Sequence, residues 1–374
     1  MAIDDTNTLR HPSGGPAPFR PAGIVAFFAR RDRSKLIVML IFLMAVGYGA
    51  LVTPQLLAAG LVIGGIYAVG AMALSLSYGV LGFPNIAQGL TMMLSAYFAF
   101  FFYTGRVRKS ALVSGDAVLG LNFGNLPYGA TALGKLSFGY GLLLASVAAA
   151  AVTALVLLLI DRFVYAPPRK AKRDTPLGLT ILSFGVTYVL LGTIAMIWGT
   201  LPRNITTGIQ PAIEFLPGVF LKPDQLFILA GVALTIAATY MFLAYTRSGK
   251  AIRAVMDNAA LAQASGISTR WMVRLTWLLV AVLTAIGGLF LGLQAQLNPQ
   301  LGMVLILPLF AAAALGGIGN PLGAAAGGLA IGILQELAVG FVSPGYKMSV
   351  AFVVLMGVLL IRPTGFGRSK RREA

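Results

Sequence analysis

Residues able to do chemistry are scarce in this chain of 374 residues. There are no cysteines, which excludes disulfides, thiolate metal sites and Cys nucleophiles. The single histidine, His11, lies in a Pro/Gly-rich stretch, so no His pair is available for a metal site or a catalytic triad. No Gly-x-x-x-x-Gly-Lys-Ser/Thr run occurs, so the chain is not by itself a P-loop ATPase. No two carboxylates stand at useful spacing within an apolar run. We therefore expect no catalytic residue, no metal and no cofactor on this chain. What remains is Glu336, the one acidic residue inside a predicted apolar span. A carboxylate at the centre of a membrane helix costs about 2.5 kcal/mol or more on insertion scales, so it must be paired or face a polar interior. Lys347 begins the next apolar run and is within reach. A structural pair near the outer end of the span is the favoured reading, and direct contact with a moving solute is the other.

Spacing points to two further features. Tyr78-Gly-Val-Leu-Gly-Phe-Pro-Asn85 interrupts the first half of the chain, and Gly316-Gly-Ile-Gly-Asn-Pro321 the second. Gly79-x-x-Gly82-x-Pro84 aligns with Gly316-x-x-Gly319-x-Pro321. Unwound backbone is tolerated in lipid only where it is buried in protein or lines a cavity, and matched interruptions in two halves point to a transport path. Gly82, Pro84, Gly316, Gly317 and Gly319 are the path candidates here, with ordinary turns between helices as the competing reading. A helix starting near Pro84 puts Asn85 and Gln88 on one side, where they face the path or hydrogen-bond between helices; the latter is the commoner fate of such amides.

The second feature is Ser248–Ile267. Ser248 is a candidate N-cap and Gly266 a candidate stop. Ile252, Val255, Met256, Ala259 and Ala262 recur at steps of three and four, which makes an apolar stripe on one helical face. Arg253, Asp257 and Asn258 lie off it. The stripe lies on the bilayer surface or docks in a groove of a cytoplasmic partner, and its small, Ala-rich character suits protein packing better.

The elements that must hold these residues are membrane helices. Hydrophobic residues make up 58% of the chain and charged residues 10%, against roughly 25% charged in soluble domains. A spanning helix needs about 20 apolar residues. Candidate segments are 36–52, 56–78, 87–103, 140–160, 177–198, 225–245, 271–295, 302–315, 321–341 and 347–361. The fold expected is thus an all-α polytopic transmembrane bundle of about ten segments, with eight or nine also possible and 302–315 short for a span. Residues 1–35 read as a disordered basic tail, 36–361 as the transmembrane domain with the helix 248–266 inside it, and 362–374 as a second basic tail. With the N-terminus inside, the cytoplasmic parts hold 21 Lys/Arg and the outer parts 7. That bias orients the bundle with both termini cytoplasmic. It also explains the net charge of +17 without nucleic acid. Two outer loops, about 104–139 and 199–224, are long enough to bind something or to be loose connectors.

Four blocks in order resemble the inner-membrane permeases of the branched-chain amino-acid class of ABC importers. They are Gly64-Gly65-Ile-Tyr67-Ala68 with Tyr78-Gly-Val-Leu-Gly82; Asn85-Ile-Ala-Gln-Gly89 with Ala96-Tyr97; Gly249-Lys-Ala-Ile-Arg253-Ala through Gly266-Ile267; and Gly316-Gly-Ile-Gly-Asn-Pro-Leu-Gly-Ala through Gly332-Ile-Leu-Gln-Glu336. Arg362-Pro363-Thr-Gly365 fits the family's usual end. The likeness spans about 56 to 367, and the Asn-x-Ala block looks like the "H" type of the two paired permeases. It implies a multi-pass protein of the bacterial inner membrane, set in lipid. It implies as partners a second, homologous permease, two cytoplasmic ATPases that bind ATP and magnesium, and a periplasmic solute-binding protein. The region Gly249–Gly266 becomes the coupling helix on the ATPase, with Gly249, Arg253, Asp257, Asn258, Ala262 and Gly266 as its residues. The implied cargo is amino acids or related small polar solutes: branched-chain amino acids, amides, urea or small organic acids. Gln88 stands where the family often has His, and Pro84 where an apolar residue is usual. An ATP-independent secondary transporter or channel is the alternative, and for ion coupling this chain offers at most Glu336 at the midplane.

Overall fold

The computed structural model describes residues 44, 47–49, 51–108, 116–118, 122–171, 175–206 and 210–361. The two expected tails, 1–35 and 362–374, lie outside these residues, as does most of the first expected segment, 36–52.

Helices occupy the other nine expected segments. They are α1 (Pro54–Leu81), α2 (Gln88–Thr104), α3 (Tyr140–Ile160), α4 (Pro176–Trp198), α5 (Pro223–Tyr245), α8 (Thr269–Gln294), α9 (Pro299–Gly316), α10 (Pro321–Val339) and α11 (Lys347–Ile361). Between α5 and α8 lie the shorter α6 (Arg247–Asp257) and α7 (Ala259–Ala264). Among the described residues, seven helices are long and apolar enough to cross a bilayer: α1, α3, α4, α5, α8, α9 and α10. The helix at 302–315 reaches that length because Asn298 caps it and Pro299 opens its first turn, residues that read as loop in the sequence.

The helices sort into two layers. In α1 and α8, 72% of the most apolar window is buried inside the chain; in α3 and α5 it is 22%. The inner helices α1, α2, α8, α9 and α10 are packed through small residues. The antiparallel pair α1 and α10 makes a close crossing. A Cβ on Gly64 would stand 2.8 Å from the carbonyl oxygen of Leu329, and one on Gly60 2.8 Å from the Cα of Ile333. A Cβ on Gly332 would overlap the backbone of Gly64. Only bare backbone allows this approach, which is the usual route to tight packing where lipid supplies no hydrophobic drive between helices.

The end of the bundle opposite α6 carries the long connections. Two antiparallel hairpins form there, β1 (Arg106–Arg108) with β2 (Asp116–Val118) and β3 (Ile213–Leu216) with β4 (Val219–Leu221). The described parts of the loops are tied down. Asp224 accepts from the Ser137 backbone N–H at 2.9 Å and from its hydroxyl, joining the two long loops. Gln55 bonds both backbone groups of Phe220, at 2.9 and 2.8 Å. Arg203 and Leu297 exchange backbone hydrogen bonds of 2.9 and 2.7 Å.

Candidate functional site

The two Gly/Pro interruptions meet in space. α1 ends at Gly82, whose φ of 79° is left-handed and whose N–H bonds to Tyr78 O at 2.8 Å. The aligned position in the second interruption, Gly319, has a φ of 88°. Aligned glycines thus adopt the same unusual conformation, one that a side chain strains. The Gly319 N–H donates to Ser75 Oγ on α1 at 3.1 Å. A Cβ on Gly319 would lie 3.8 Å from the Cα of Gly79.

Beyond this contact the interruptions differ. The second is a short turn, and Asn320 caps α10 by accepting from the Gly323 N–H at 3.2 Å. Gly316 serves packing there, since a Cβ on it would overlap the backbone of Gly323. The first interruption is longer and runs into the protein. Phe83, Asn85, Ala87 and Gln88 are all buried. Gln88 opens α2 opposite Thr284, fifteen residues along α8 from Thr269, a rise of about 22 Å. Residues 83–87 are therefore non-helical backbone largely inside the bundle, and several of their polar groups find partners there. The Ile86 N–H donates to Ser183 Oγ of α4 at 3.1 Å. Asn85 Oδ1 accepts from the Ala87 N–H at 3.2 Å and from the Tyr165 hydroxyl at 3.3 Å. Tyr165 itself stacks on Trp277, with ring centroids 5.9 Å apart.

Asn85 and Gln88 do not share a helix, because α2 starts at Gln88 and not near Pro84. Gln88 Nε2 donates to Thr284 Oγ1 at 2.9 Å. Both amides thus bond across elements of this chain. Ser75, Tyr165, Ser183 and Thr284 were invisible as partners in the sequence. Their signal was a polar residue inside an apolar helix, which many bundles carry without consequence.

Helix α6 sits against the joined interruptions. Thr246 caps it, accepting from the Gly249 N–H at 2.9 Å; the expected cap, Ser248, lies inside the helix. Gly249 makes the elbow with α5, since a Cβ there would stand 2.7 Å from the Cα of Leu243. The helix read as continuous to Gly266 breaks at Asn258, which is extended and caps α7 by accepting from the Ala260 and Leu261 N–H groups, both at 3.0 Å. Gly266 ends α7 with a φ of 83°. The apolar stripe packs into this chain: Ile252, Val255 and Ala262 are buried. Met256 rests on Gly79, where an added Cβ would overlap its Cε. Ala259, by contrast, is exposed, because the break at Asn258 turns it off the stripe. Leu261 on α7 is 65% exposed.

Between α5, α6 and the two interruptions lies a cavity of about 520 Å³. Gly82 and Gly319 line it, with Arg253 and Asp257 of α6 and Tyr78 and Tyr240. Pro84, Asn85, Gln88, Gly316 and Gly317 are not among its lining residues. Glu336 stands at the other end of α10, fifteen residues from Pro321 or about 22 Å. It is 5% exposed and accepts from Lys347 Nζ at 2.6 Å. Gln335 Nε2 bonds the Lys347 carbonyl at 2.9 Å. The three residues fasten α11 to α10. Among the described residues no cluster of His, Cys, Asp or Glu could hold a metal ion.

Comparison with known proteins finds a matching family and several relatives. Residues 56–359 match the family model described as branched-chain amino acid transport system / permease component. The BraD permease protein of a high-affinity branched-chain amino acid transport system in Pseudomonas aeruginosa is 30% identical over 316 residues, covering 83% of this chain and 94% of that protein. The LivH permease protein of Escherichia coli is 29% identical over 317 residues, covering 82% and 92%. Among solved structures, PsaBC from Streptococcus pneumoniae in complex with Fab covers 87% of this chain at 13% identity, with a TM-score of 0.43. The chain is a multi-pass membrane protein that belongs to the permease-component family of branched-chain amino acid transport systems.

Proposed function

We propose that the chain is the inner-membrane permease subunit of an ATP-driven importer of the ABC class. It forms half of a path for amino acids or related small polar solutes, which a periplasmic binding protein delivers. Both termini and α6–α7 face the cytoplasm. A second, homologous permease supplies the other half of the path, and two ATPase subunits, which hold the ATP and magnesium, supply the energy. The importer class is what the family membership supports directly. One observation carries the coupling: α6 seats Met256 on Gly79, and Gly79 lies beside Gly319. A force on one short helix thus reaches both interruptions. Gly249, Asn258, Ala262 and Gly266 hold the shape of α6–α7. The surface offered to the ATPase is the outer side of α7, including exposed Leu261.

Glu336 is paired with Lys347 near one end of the bundle, which disfavours an ion-coupled carrier. The test is reconstitution. The chain alone should neither hydrolyse ATP nor drive uptake, and uptake should appear when the second permease, ATPases, binding protein and ATP are added. Proton- or sodium-driven uptake by the lone chain would sink the proposal. Arg253→Ala in the full complex should leave insertion and ATP hydrolysis in place while lowering solute moved per ATP.

A further inference from the structure

We infer that the ends of α3 and α8 on the face that carries α6 form a binding site for an anionic phospholipid, its phosphate held by arginine and its acyl chains laid along α8. Arg270 and Arg274 stand four residues apart in the first two turns of α8, and both are exposed. Among the described residues no ion pair engages either of them. Positive groups at the start of a helix oppose its dipole, so the stability of α8 does not account for them. A third cation comes from the turn Asp161–Tyr165, which continues α3. Asp161 is paired there with Arg169, while exposed Arg162 has no ion pair among the described residues. The two helix ends are neighbours, since Tyr165 stacks on Trp277 of α8.

An exposed ring accompanies the arginines on each element: Trp271 is 53% exposed and Phe163 69%. Aromatic side chains of this kind sit at headgroup level in a bilayer. Beyond Arg274, at steps of four, α8 exposes Leu278 and Val282. One face of the helix thus passes from cation to apolar surface, as a phospholipid passes from phosphate to acyl chain. The planar fork of arginine donates two hydrogen bonds to a phosphate at once. The positive-inside bias places cations on one side of the membrane but does not gather them on two packed helices. The other helix ends on this face are bare: the last turns of α1, α5 and α9 and the first turns of α4 and α10 hold no Lys or Arg.

The importer reading enters only in naming this leaflet cytoplasmic, the side on which anionic lipid concentrates. Tryptophan supplies the probe. Of the three in the chain, Trp198 and Trp277 are buried and Trp271 is exposed, so a brominated lipid quenches chiefly Trp271. The full chain is reconstituted in phosphatidylcholine vesicles with a minor, fixed fraction of phosphatidylglycerol. In one set the phosphatidylglycerol carries the bromine; in the other an equal amount of phosphatidylcholine does. The Trp271 component is the difference from the Trp271→Phe chain. One cation near an anionic surface is worth about fivefold in local concentration, so quenching by the brominated anionic lipid should exceed that by the zwitterionic one about fivefold or more. Replacing both arginines, Arg270→Gln with Arg274→Gln, should bring the ratio to about one. Salt at about 1 M should lower it toward one, because screening then acts within about 3 Å. Arg247→Gln removes an exposed cation of α6 and should leave the ratio unchanged. A ratio near one for the unaltered chain leaves these cations to an acidic protein surface and overturns the assignment. A ratio that survives loss of both arginines overturns it too, as does one that Arg247→Gln lowers equally. If the double variant does not insert, the salt series on the unaltered chain decides, and a ratio unmoved by salt overturns the site. Uptake plays no part in the readout, so failure of the importer reading and failure of this site are distinguishable.

Discussion

The seat of Met256 on Gly79 can be tested by a change of sign. Gly79 lies within α1, so replacing it with Ala gains roughly 1 kcal/mol of helix preference. The new Cβ, however, overlaps Met256 Cε and stands 3.2 Å from its Cγ and Sδ. Overpacking of this kind costs about 1–3 kcal/mol. The Met side chain has several rotatable bonds, which keeps the cost toward the low end. Gly79→Ala should therefore destabilise the chain by about 0–2 kcal/mol. Met256→Ala removes the obstacle. A fully buried Met→Ala costs about 2–5 kcal/mol, and Met256 is only partly buried, so about half the lower figure to half the upper is expected. In that background the three atoms nearest the added Cβ are gone, and Gly79→Ala should stabilise, by up to about 1 kcal/mol. The coupling energy of the pair is then about 1–3 kcal/mol, within the range of directly contacting residues. The assay is equilibrium unfolding of the four purified proteins in the same detergent micelles, read by tryptophan fluorescence. If Gly79→Ala costs the same with Met256 present or absent, α6 does not rest on α1 and the proposed transmission route is wrong.

Three further contrasts follow from the same geometry. At the α1–α10 crossing the obstacle is backbone, so Gly332→Ala should cost at least about 1–3 kcal/mol and lower the monodisperse fraction in gel filtration; Gly185→Ala on α4, with nothing within 4 Å of the added Cβ, should be neutral or mildly stabilising. Lys347→Met leaves the buried Glu336 carboxylate without its cation and should cost about 2–3 kcal/mol, toward the low end for a broken buried pair because the lysine side chain is 34% exposed; Glu336→Gln should cost less in thermal unfolding, and the reverse order would refute a structural role for the pair. Thr284→Val strands the Nε2 end of the buried Gln88 amide, whose Oε1 already lacks a hydrogen-bond partner, at about 1–3 kcal/mol, whereas Gln88→Leu removes the whole polar group and should be nearly neutral; a large change in solute preference of Gln88→Leu, measured by competition uptake, would instead make Gln88 a path residue.

What the sequence made legible was whatever depends on local pattern. Nine helices lie where apolar runs predicted them, because a 20-residue apolar run in lipid has few alternatives to a helix. Glu336 and Lys347 formed the expected pair because an unpaired carboxylate in a span is costly wherever its helix is placed. Boundaries were less legible. Thr246 displaced Ser248 as the cap of α6, and Asn258 broke the helix, since Asn favours capping over continuing a helix. The burial of the α6 stripe against its own chain was also hidden, because periodicity shows that a face is apolar and not what covers it. The depth of the first interruption depended on Ser183 and Tyr165, which are distant in sequence and offered no local signal.

The aligned interruptions now carry different physical roles. The first is held by groups from three other elements: Ser183 from α4, Tyr165 beyond α3 and Thr284 from α8. Moving it would break several buried hydrogen bonds at once, each expensive to leave unmade. The second is a four-residue turn, 317–320, with left-handed glycines at Gly317 and Gly319. It is tied to α1 by the hydrogen bond from the Gly319 N–H to Ser75 Oγ. Under the proposed coupling, a displacement of α6 is expected to be resisted at residues 82–88 and taken up at 316–320, where Gly317 and Gly319 have positive φ. The aligned sequence motifs pointed to matched interruptions of a transport path, with ordinary turns as the competing reading. Hydrogen bonds tie the first to α4 and Tyr165 and the second to α1, and Arg253 and Asp257 of α6 line the cavity beside both.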